Sequence, residues 1–415
     1  MRVLNKQCFV NCLFVFLMFL SALLGAIFML FPLLPVLVLN YRIWRRIADY
    51  IVGFWLVFPA GMLEVMHNLK VYTNPECPKF RHTESSVIIM NHRTRLDWLY
   101  LWALLYRHDP SILNSEKITL KSDLKYIPGA GWAMECNAFS FLFRDWTKDK
   151  RVLEDVACYF VTTGKHYQIL FFPEGTNLTS YSKAKSDSFA AKQGLPSYNF
   201  VLHPRTTGFV TLVQKLRTDN YLNSVYDVSI GYGDQIVDRE SHFLAGRNSF
   251  HIGFHITRFD ISKVPTDDIG LSSWCEARFA EKEKLLSRFY SSSESDVHIA
   301  GGQQNGIAHE TLKELRTNVG GETDRVDTAS TIKMFPGSEL LPLTKAQRLY
   351  LYANFAYWTS ACAIWVVLIY QYFWMKIYVT LAVASFVAIS LIFGGVEFLE
   401  IYLWKKDCSL EKKEL

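Results

Sequence analysis

The sequence has few of the features that mark metal-binding or disulfide-bonded proteins. Its eight cysteines are dispersed over 415 residues, and none forms a C-x-x-C pair. This spacing favours reduced thiols in a reducing compartment over a disulfide framework. The histidines are also scattered; His251 and His255 come nearest to a pair, but they lie in an alternating, strand-like stretch rather than on a helix. We therefore predict no metal site.

Two motif classes that would indicate other functions are also missing. No G-x-S-x-G sequence occurs, so the chain lacks the turn that presents the nucleophile of a serine lipid hydrolase. No zinc-finger or RNA-binding motif occurs, and the basic residues behind the net charge of +5 form no isolated tail. Nucleic acid is therefore not an expected partner.

Apolar residues make up 50% of the chain, and many of them lie in long runs near its two ends. The run at 9–38 is long enough to cross a hydrocarbon core about 30 Å thick. It is too long for a cleaved signal peptide, which indicates a retained anchor. A second run, 50–66, contains Pro59 and Glu64, so a full span and a helix dipping into one leaflet both stay open. Residues 1–69 are thus predicted to form an N-terminal membrane anchor with one transmembrane helix and a second membrane-embedded helix.

Two further apolar segments, 349–370 and 378–393, are joined by a short turn near the C-terminus. Basic residues flank the pair on both outer sides, so the positive-inside rule puts both outer ends in the cytosol. The chain ends in K-K-E-L, which matches the dilysine pattern of proteins returned to the endoplasmic reticulum. An ordinary basic tail is the alternative, but the predicted topology favours the signal. We expect a multi-pass endoplasmic reticulum protein in which 344–415 form a transmembrane pair and a cytosolic tail.

Residues 70–290 have the sequence pattern of a water-soluble α/β domain. Apolar, β-branched runs at Ser86–Met90, 167–172 and 225–230 predict strands, and amphipathic stretches between them predict helices. Strands separated by helices favour a mainly parallel sheet flanked by helices. The segment 291–343 is rich in serine, glycine, threonine and charged residues, which predicts a flexible linker.

The first polar cluster, N-H-R-T-R-L-D at 91–97, directly follows the predicted strand Ser86–Met90. His92 and Asp97 are five residues apart, so on a single helix they would not share a face. They can meet if His92 lies in the strand-to-helix turn and Asp97 begins the helix. The carboxylate would then accept from one imidazole nitrogen and leave the other free as a base. A buried strand and an Asp-led helix with no chemical role is the alternative.

The second polar cluster, F-P-E-G-T at 172–176, follows another predicted strand. Its proline ends the strand, Glu174 offers a carboxylate, and Gly175 lets a ligand approach the backbone. Ligands of open α/β sheets bind beyond the carboxyl ends of the strands, and both clusters fall at such ends. A parallel sheet would bring the two clusters to the same edge, although each taken singly also fits a tight turn.

The third cluster, F-S-F-L-F-R-D at 139–145, lies between the other two in sequence. Arg144 emerges from an apolar run, where its guanidinium suits bidentate capture of a phosphate or carboxylate. A surface ion pair with Asp145 is the alternative.

In order and spacing, the three clusters resemble the signature blocks of the glycerophospholipid acyltransferases, whose hallmark is H-x-x-x-x-D. The forms N-H-R-T-R-x-D-W, P-G-x-G-W-A-M and L-H-P-R-T-T-G-F are most similar to the lysocardiolipin branch, which also acts on lysophosphatidylinositol. The resemblance covers nearly the whole chain. It implies transfer of a fatty acyl group from acyl-CoA to the free hydroxyl of a lysophospholipid at the lipid bilayer, with no cofactor.

The resemblance also implies roles for individual residues. His92 would act as the general base, with Asp97 orienting it. Substrate binding would fall to residues of the second and third clusters: Arg144, Glu174, Gly175 and Thr176. Many relatives carry arginine after F-P-E-G-T, where this chain has Asn177. Three other basic residues are therefore alternative phosphate ligands: Lys121, Lys125 and Arg205.

Two other functions stay open on the sequence. A non-catalytic lipid-binding or transfer protein would bind lysophospholipid without releasing CoA. A lysophosphatidate acyltransferase of phospholipid synthesis would differ in the head group of its acceptor. The motifs do not encode the head group, the acyl chain or the sn-position.

Overall fold

One β-sheet lies between layers of helices. The computed structural model describes residues 2–295 and 332–414. The strands are β1 Lys70–Thr73, β2 Ser86–Met90, β3 Glu116–Lys121, β4 Ser140–Leu142, β5 Gln168–Phe171, β6 Ser224–Tyr232, β7 His251–Asp260 and β8 Glu339–Leu340. The helices are α1 Arg2–Gly25, α2 Leu34–Leu39, α3 Tyr41–His67, α4 Asp97–His108, α5 Ala130–Cys136, α6 Trp146–Thr163, α7 Ser180–Gln193, α8 Thr206–Leu216, α9 Glu240–Leu244, α10 Asp268–Ser295, α11 Lys345–Gln371, α12 Phe373–Phe393 and α13 Val396–Glu414.

The strands lie in the order β4-β3-β5-β2-β6-β7-β1-β8. Neighbours from β4 to β6 are all parallel, as are β7 and β1, whereas β6–β7 and β1–β8 are antiparallel. The predicted α/β architecture with a mainly parallel sheet is therefore confirmed. Because β2 to β6 run in one direction, their carboxyl ends meet at one edge, where ligands of such sheets bind.

Strand β2 lies at the centre of the sheet, between β5 and β6. Its five residues, S-V-I-I-M, are all buried, and Val87 pairs with Ile169 on one side and Val225 on the other. A near-continuous apolar run is typical of a parallel strand that is covered on both faces. The polar cluster at 91–97 follows β2 at once, so it emerges at the carboxyl edge.

Strand β3 is not recognisable from its sequence, E-K-I-T-L-K, because two of its buried residues are charged. Glu116 accepts from the indole N–H of Trp102 at 3.1 Å. The Lys117 ammonium donates to Asp49 Oδ1 and Asn137 Oδ1, each at 2.7 Å. These partners come from α3, α4 and the α5–β4 turn, so only the folded chain supplies them.

The predicted linker differs from the structure at its C-terminal end. Strand β8 pairs with β1 through Tyr72–Leu340 and Thr73–Glu339, and Phe335 is buried against Phe289. Residues 332–343 therefore belong to the sheet domain, because they cover its β1 edge. The predicted linker residues 296–331 lie outside the described residues.

Within the described part of the chain, four helical segments are long and apolar enough to cross a membrane: Lys6–Leu39, Tyr41–His67, Lys345–Gln371 and Phe373–Phe393. The last two form the predicted C-terminal pair, and most of their surface is exposed, as expected of helices that face lipid. Most of α3, by contrast, is buried against α4, α11 and the rest of the protein. Helix α3 is therefore as much a core helix of the folded chain as a membrane helix.

Helix α13 follows the C-terminal pair and packs against the domain, in the segment for which the sequence predicts only a basic tail. Its buried Glu400 accepts from Arg45 Nη1 at 3.0 Å and from the Tyr159 hydroxyl at 2.5 Å. At the surface, the Lys405 ammonium lies 2.6 Å from the Asp155 carboxylate. The helix thus connects α3 and α6 through buried polar contacts.

Candidate active site

The site begins where β2 ends. The side-chain amide of Asn91 accepts from the Ile230 N–H at 2.8 Å and donates to the Ile230 carbonyl at 3.2 Å. These two bonds replace the backbone hydrogen bonds that a further residue of β2 would make, and they hold the end of β2 against β6. The next residue, His92, is consequently held at the carboxyl edge of the sheet.

The structure brings His92 and Asp97 together in the strand-to-helix turn, the one arrangement in which the sequence allows them to meet. His92 lies in the turn after β2, Asp97 begins α4, and His92 Nδ1 is 2.9 Å from Asp97 Oδ2. A carboxylate can only accept here, so Nδ1 carries the proton and Nε2 is the ring nitrogen left with a lone pair. Nε2 has no hydrogen-bond partner within residues 2–295 and 332–414. The His92 side chain is 19% exposed, and its ring stacks on Phe172 with 4.3 Å between centroids.

Asp97 is buried and accepts further hydrogen bonds. Thr94 donates its backbone N–H to Oδ2 at 3.0 Å and its hydroxyl to Oδ1 at 3.2 Å. The hydroxyl of Tyr232, at the end of β6, also donates to Oδ1. Such donors stabilise a carboxylate that has lost its water. The polar pattern at 91–97 contains Thr94, but nothing in the sequence singles out Tyr232 except its place at the end of a strong strand.

Glu174 lies beneath the site rather than at its surface. Its Oε1 accepts from the His92 backbone N–H at 2.8 Å, and its Oε2 accepts from the Leu202 N–H at 3.0 Å. Burial raises the pKa of Glu174 well above its ordinary value; the two backbone N–H donors and the nearby Lys282 ammonium oppose that rise. The expectation that Glu174 contacts substrate is therefore corrected: both of its oxygens are occupied in tying two loops together.

The rest of the second cluster lines the same turn. Gly175 has a φ of +69°, a conformation that glycine adopts without strain, and a Cβ there would lie 3.7 Å from Arg205 Cδ. The Arg205 N–H donates to the Pro173 carbonyl at 2.7 Å, and its side chain is exposed. Thr176 is half-buried in the same loop. The structure thus places Gly175, Thr176 and Arg205 beside the His92 turn.

Of the remaining predicted phosphate ligands, two are exposed at the carboxyl edge of the sheet and one is buried. Arg144 is exposed at the carboxyl end of β4, three strand spacings from β2, or about 14 Å across the sheet. Lys121 is exposed at the end of β3, on the same edge, where it pairs with Asp123. Lys125 is buried, pairs with Glu397 of α13 and donates to the Gly394 carbonyl at 2.9 Å. The prediction that Lys125 binds phosphate is therefore wrong, because its charge is already neutralised inside the protein.

No group of three or more metal-ligating side chains occurs in the described ranges, 2–295 and 332–414. His251 and His255 lie on β7, as their alternating pattern predicts. His251 Nδ1 lies 3.5 Å from an Asp234 carboxylate oxygen, and His255 packs near Phe335.

Comparisons with known proteins identify relatives of this chain. The family model described as Acyltransferase matches residues 67–233, and the one described as Acyltransferase C-terminus matches residues 242–314. Lysocardiolipin acyltransferase 1 of Mus musculus is 37% identical over 94% of this chain and 94% of its own length. The Gallus gallus protein of the same name is 39% identical over 94% and 93%. Lysophosphatidylinositol acyltransferase 10 of Caenorhabditis elegans is 41% identical over 65% and 69%.

Proposed function

The chain belongs to the glycerophospholipid acyltransferases, in the family that includes the lysocardiolipin and lysophosphatidylinositol acyltransferases, and from this premise we propose that it uses His92 to transfer an acyl group from acyl-CoA to a lysophospholipid hydroxyl. The observation that carries the proposal is the 2.9 Å contact between His92 Nδ1 and Asp97 at the carboxyl edge of the sheet, with Nε2 unbonded among the described residues. The lysophospholipid class of acceptor follows from the relatives; the donor and the residue roles are our proposal.

In the proposed reaction, Nε2 of His92 takes the proton of the acceptor hydroxyl as its oxygen attacks the thioester carbonyl. General-base catalysis of this kind contributes about 10²- to 10⁴-fold. The tetrahedral intermediate then collapses, the C–S bond breaks, and the imidazolium returns the proton to the departing sulfur. CoA leaves as a thiol and the acceptor oxygen keeps the acyl group as an ester. No acyl-enzyme forms, because acyl-CoA is already activated.

Asp97 holds the tautomer that this mechanism needs. With the Nδ1 proton bonded to Oδ2, the lone pair sits on Nε2, and the positive charge that develops on the ring faces a buried carboxylate. Glu174 acts one step further back, since its bond to the His92 N–H fixes the backbone that carries the imidazole. Glu174 is thus proposed as a positioning residue.

The exposed cations of the carboxyl edge are proposed to hold the phosphates of the two substrates. Arg205 lies beside the Gly175 turn and suits the acceptor phosphate. Arg144 and Lys121 lie on β4 and β3, farther along the edge, and suit phosphates distant from the thioester. Gly175 and Thr176 would contact the acceptor at the turn itself.

Four apolar helices of the described chain are consistent with a membrane protein. We propose that they keep the active site and α13 on the cytosolic face of the endoplasmic reticulum, where the basic flanks and the K-K-E-L terminus would also lie. Both substrates carry fatty chains, so a site held at the bilayer surface meets them where they are concentrated.

The test is CoA release by membranes that contain the full-length protein. Oleoyl-CoA is supplied with one acceptor at a time: monolysocardiolipin, lysophosphatidylinositol, lysophosphatidylglycerol or lysophosphatidate. Free thiol and phospholipid product are both measured, with membranes lacking the protein as control. We expect equal amounts of thiol and product with monolysocardiolipin or lysophosphatidylinositol. Binding of these lipids without thiol release would indicate a lipid-binding protein, and turnover with lysophosphatidate alone would refute the proposed acceptor class.

A further inference from the structure

We propose that Tyr232 is a positioning residue for acyl transfer: it holds the Asp97 carboxylate in the orientation that presents Oδ2 to His92. The inference rests on the proposed function, because it assumes that His92 is the base. Tyr232 lies 140 residues from His92 and outside the three sequence clusters. The fold brings it to the site because β6 is the neighbour of β2.

The Tyr232 hydroxyl contacts both Asp97 and Thr94. It donates to Asp97 Oδ1 and lies 2.8 Å from Thr94 Oγ1. Tyr232 and Asp97 are both buried. Burial, together with the nearby Asp97 charge, raises the pKa of the Tyr232 phenol well above its ordinary value, so the hydroxyl keeps its proton at every pH at which the enzyme can be assayed. The hydroxyl is therefore a permanent donor.

Tyr232 is itself held rigidly by the surrounding elements. Its backbone N–H donates to the Tyr290 hydroxyl of α10 at 3.2 Å. Its ring meets the Tyr100 ring of α4 edge to face, with centroids 5.8 Å apart. Because backbone and ring are both fixed, the hydroxyl is pre-organised to receive the carboxylate rather than pulled into place by it.

The two carboxylate oxygens consequently have separate tasks. Oδ2 accepts from His92, while Oδ1 accepts from Tyr232 and the Thr94 hydroxyl. Without the Tyr232 donor, Oδ1 carries more unscreened negative charge and the carboxylate rotates more freely about its Cβ–Cγ bond. The imidazolium form of His92 is then favoured in the resting enzyme, and less of the enzyme holds the neutral base at a given pH.

Other titratable groups also surround this carboxylate. Glu174, which follows β5, interacts electrostatically with Asp97, and so does Tyr100 of α4. Tyr290 approaches from α10 and interacts with both Asp97 and Arg93. Replacing Tyr232 by phenylalanine leaves every one of these groups in place, so a changed pH profile would report the lost hydroxyl.

The experiment compares Tyr232→Phe with Tyr226→Phe in full-length protein in membranes. Tyr226 is a matched control: it lies on the same strand and is equally buried, but its hydroxyl donates to the Lys79 carbonyl, away from the site. Turnover is measured against pH with oleoyl-CoA and either monolysocardiolipin or lysophosphatidylinositol. For Tyr232→Phe we expect kcat to fall about 10- to 100-fold with KM unchanged, and the acid limb of the profile to move up by about one pH unit. Tyr226→Phe should match the wild type.

A wild-type kcat and pH profile for Tyr232→Phe would overturn the inference. A lower rate with an unshifted profile would also overturn it, since that would reflect loss of folded protein; the shape of the profile does not depend on protein amount. His92→Ala is run beside these variants. If it abolishes turnover while Tyr232→Phe behaves as wild type, the inference alone fails. If His92→Ala retains turnover, the proposed mechanism fails and the inference falls with it.

Discussion

At Asp97, four hydrogen bonds converge on one buried carboxylate, from His92, from Tyr232 and twice from Thr94. A charged acceptor without water needs this number of donors, because each unsatisfied buried oxygen costs free energy. The same bonds give the carboxylate a single orientation. At the scale of residues, the orientation of the His92 ring is therefore set by a buried carboxylate and by the donors that hold it.

The Glu174→Gln variant tests the hydrogen bond that holds the His92 backbone. Glutamine keeps the shape but turns one acceptor into a donor that faces a backbone N–H, so the contact with either His92 or Leu202 is lost. We expect kcat to fall about tenfold or more, since a buried backbone N–H left without its acceptor costs roughly 1–3 kcal/mol and the His92 loop is then no longer fixed. The measurement is acyl transfer per unit of folded protein.

The matched control is Glu283→Gln. Glu283 accepts from the N–H groups of Asn199, Phe200 and Val201, so it supports the loop that leads to Leu202 without contacting His92. Its substitution should leave kcat closer to wild type. Equal losses in the two variants would mean that the loop, rather than the His92 backbone, is what Glu174 supports.

The sequence is informative about the site only where the contacts are local. His92 and Asp97 are five residues apart, so the strand-to-helix pattern is enough to suggest that they can meet. Tyr232 reaches them through strand order, which no spacing in the sequence encodes. Lys125 shows the opposite case. Its sequence position suggests a phosphate ligand, but the fold pairs it with Glu397, which is distant in sequence.

At the scale of elements, β3 is a strand that its own sequence does not predict. Its buried Glu116 accepts from Trp102, and its other oxygen has no partner among the described residues. Burial raises the pKa of Glu116 from 4.5 to about 8. Burial also lowers the pKa of the adjacent Lys117 to about 7, against the pull of Asp49. Only the packed structure supplies the partners that make such a strand stable in the interior.

Glu116→Gln should change the pH dependence of stability. Because the folded-state pKa of Glu116 is raised above its unfolded value, its stabilising contribution is full below pH 4.5 and is lost as the pH rises towards 8. Glutamine does not titrate, so the Tm of the variant minus that of the wild type should increase between pH 5 and pH 8. The slope is at most about 1.4 kcal/mol per pH unit.

Thermal unfolding in detergent across this pH range provides the check. Glu339→Gln, which replaces an exposed carboxylate on β8, serves as the control and should follow the wild type. A Tm difference for Glu116→Gln that stays constant with pH would show that Glu116 is ionised in the folded protein, contrary to the expected direction.

At the scale of the whole molecule, one buried polar network joins segments that are far apart in sequence. Asp49 of α3 accepts from Arg45, Lys117 and Lys165, and Arg45 extends the network to Glu400 of α13. The N-terminal helices, the sheet and the C-terminal helix are thereby held in one arrangement. The apolar runs in the sequence coincide with the four long apolar helices of the described chain, but they do not predict that α13 returns to the domain, because its anchoring carboxylates resemble surface charges.

Glu400→Gln tests this link. The substitution leaves Arg45 buried with one of its two carboxylate partners missing. Removing one partner from a buried ion pair typically costs about 3–5 kcal/mol, so we expect a clearly lower Tm for the full-length protein in detergent. The reference is Asp155→Asn, which breaks the exposed Lys405–Asp155 pair between α13 and α6. Such a surface pair contributes about 0–1 kcal/mol. Similar Tm losses in the two variants would show that the buried network does not hold α13 to the domain.

The account as a whole depends on His92 being the base, and the most direct measurement is phospholipid product formed by His92→Ala. Full-length protein in membranes is supplied with oleoyl-CoA and lysophosphatidylinositol or monolysocardiolipin, and product is normalised to protein level. His166→Ala is the matched control, because His166 is exposed just before β5, at the opposite edge of the sheet. We predict that His92→Ala lowers product formation by about 10²-fold or more while His166→Ala matches the wild type. Wild-type turnover by His92→Ala would contradict the account.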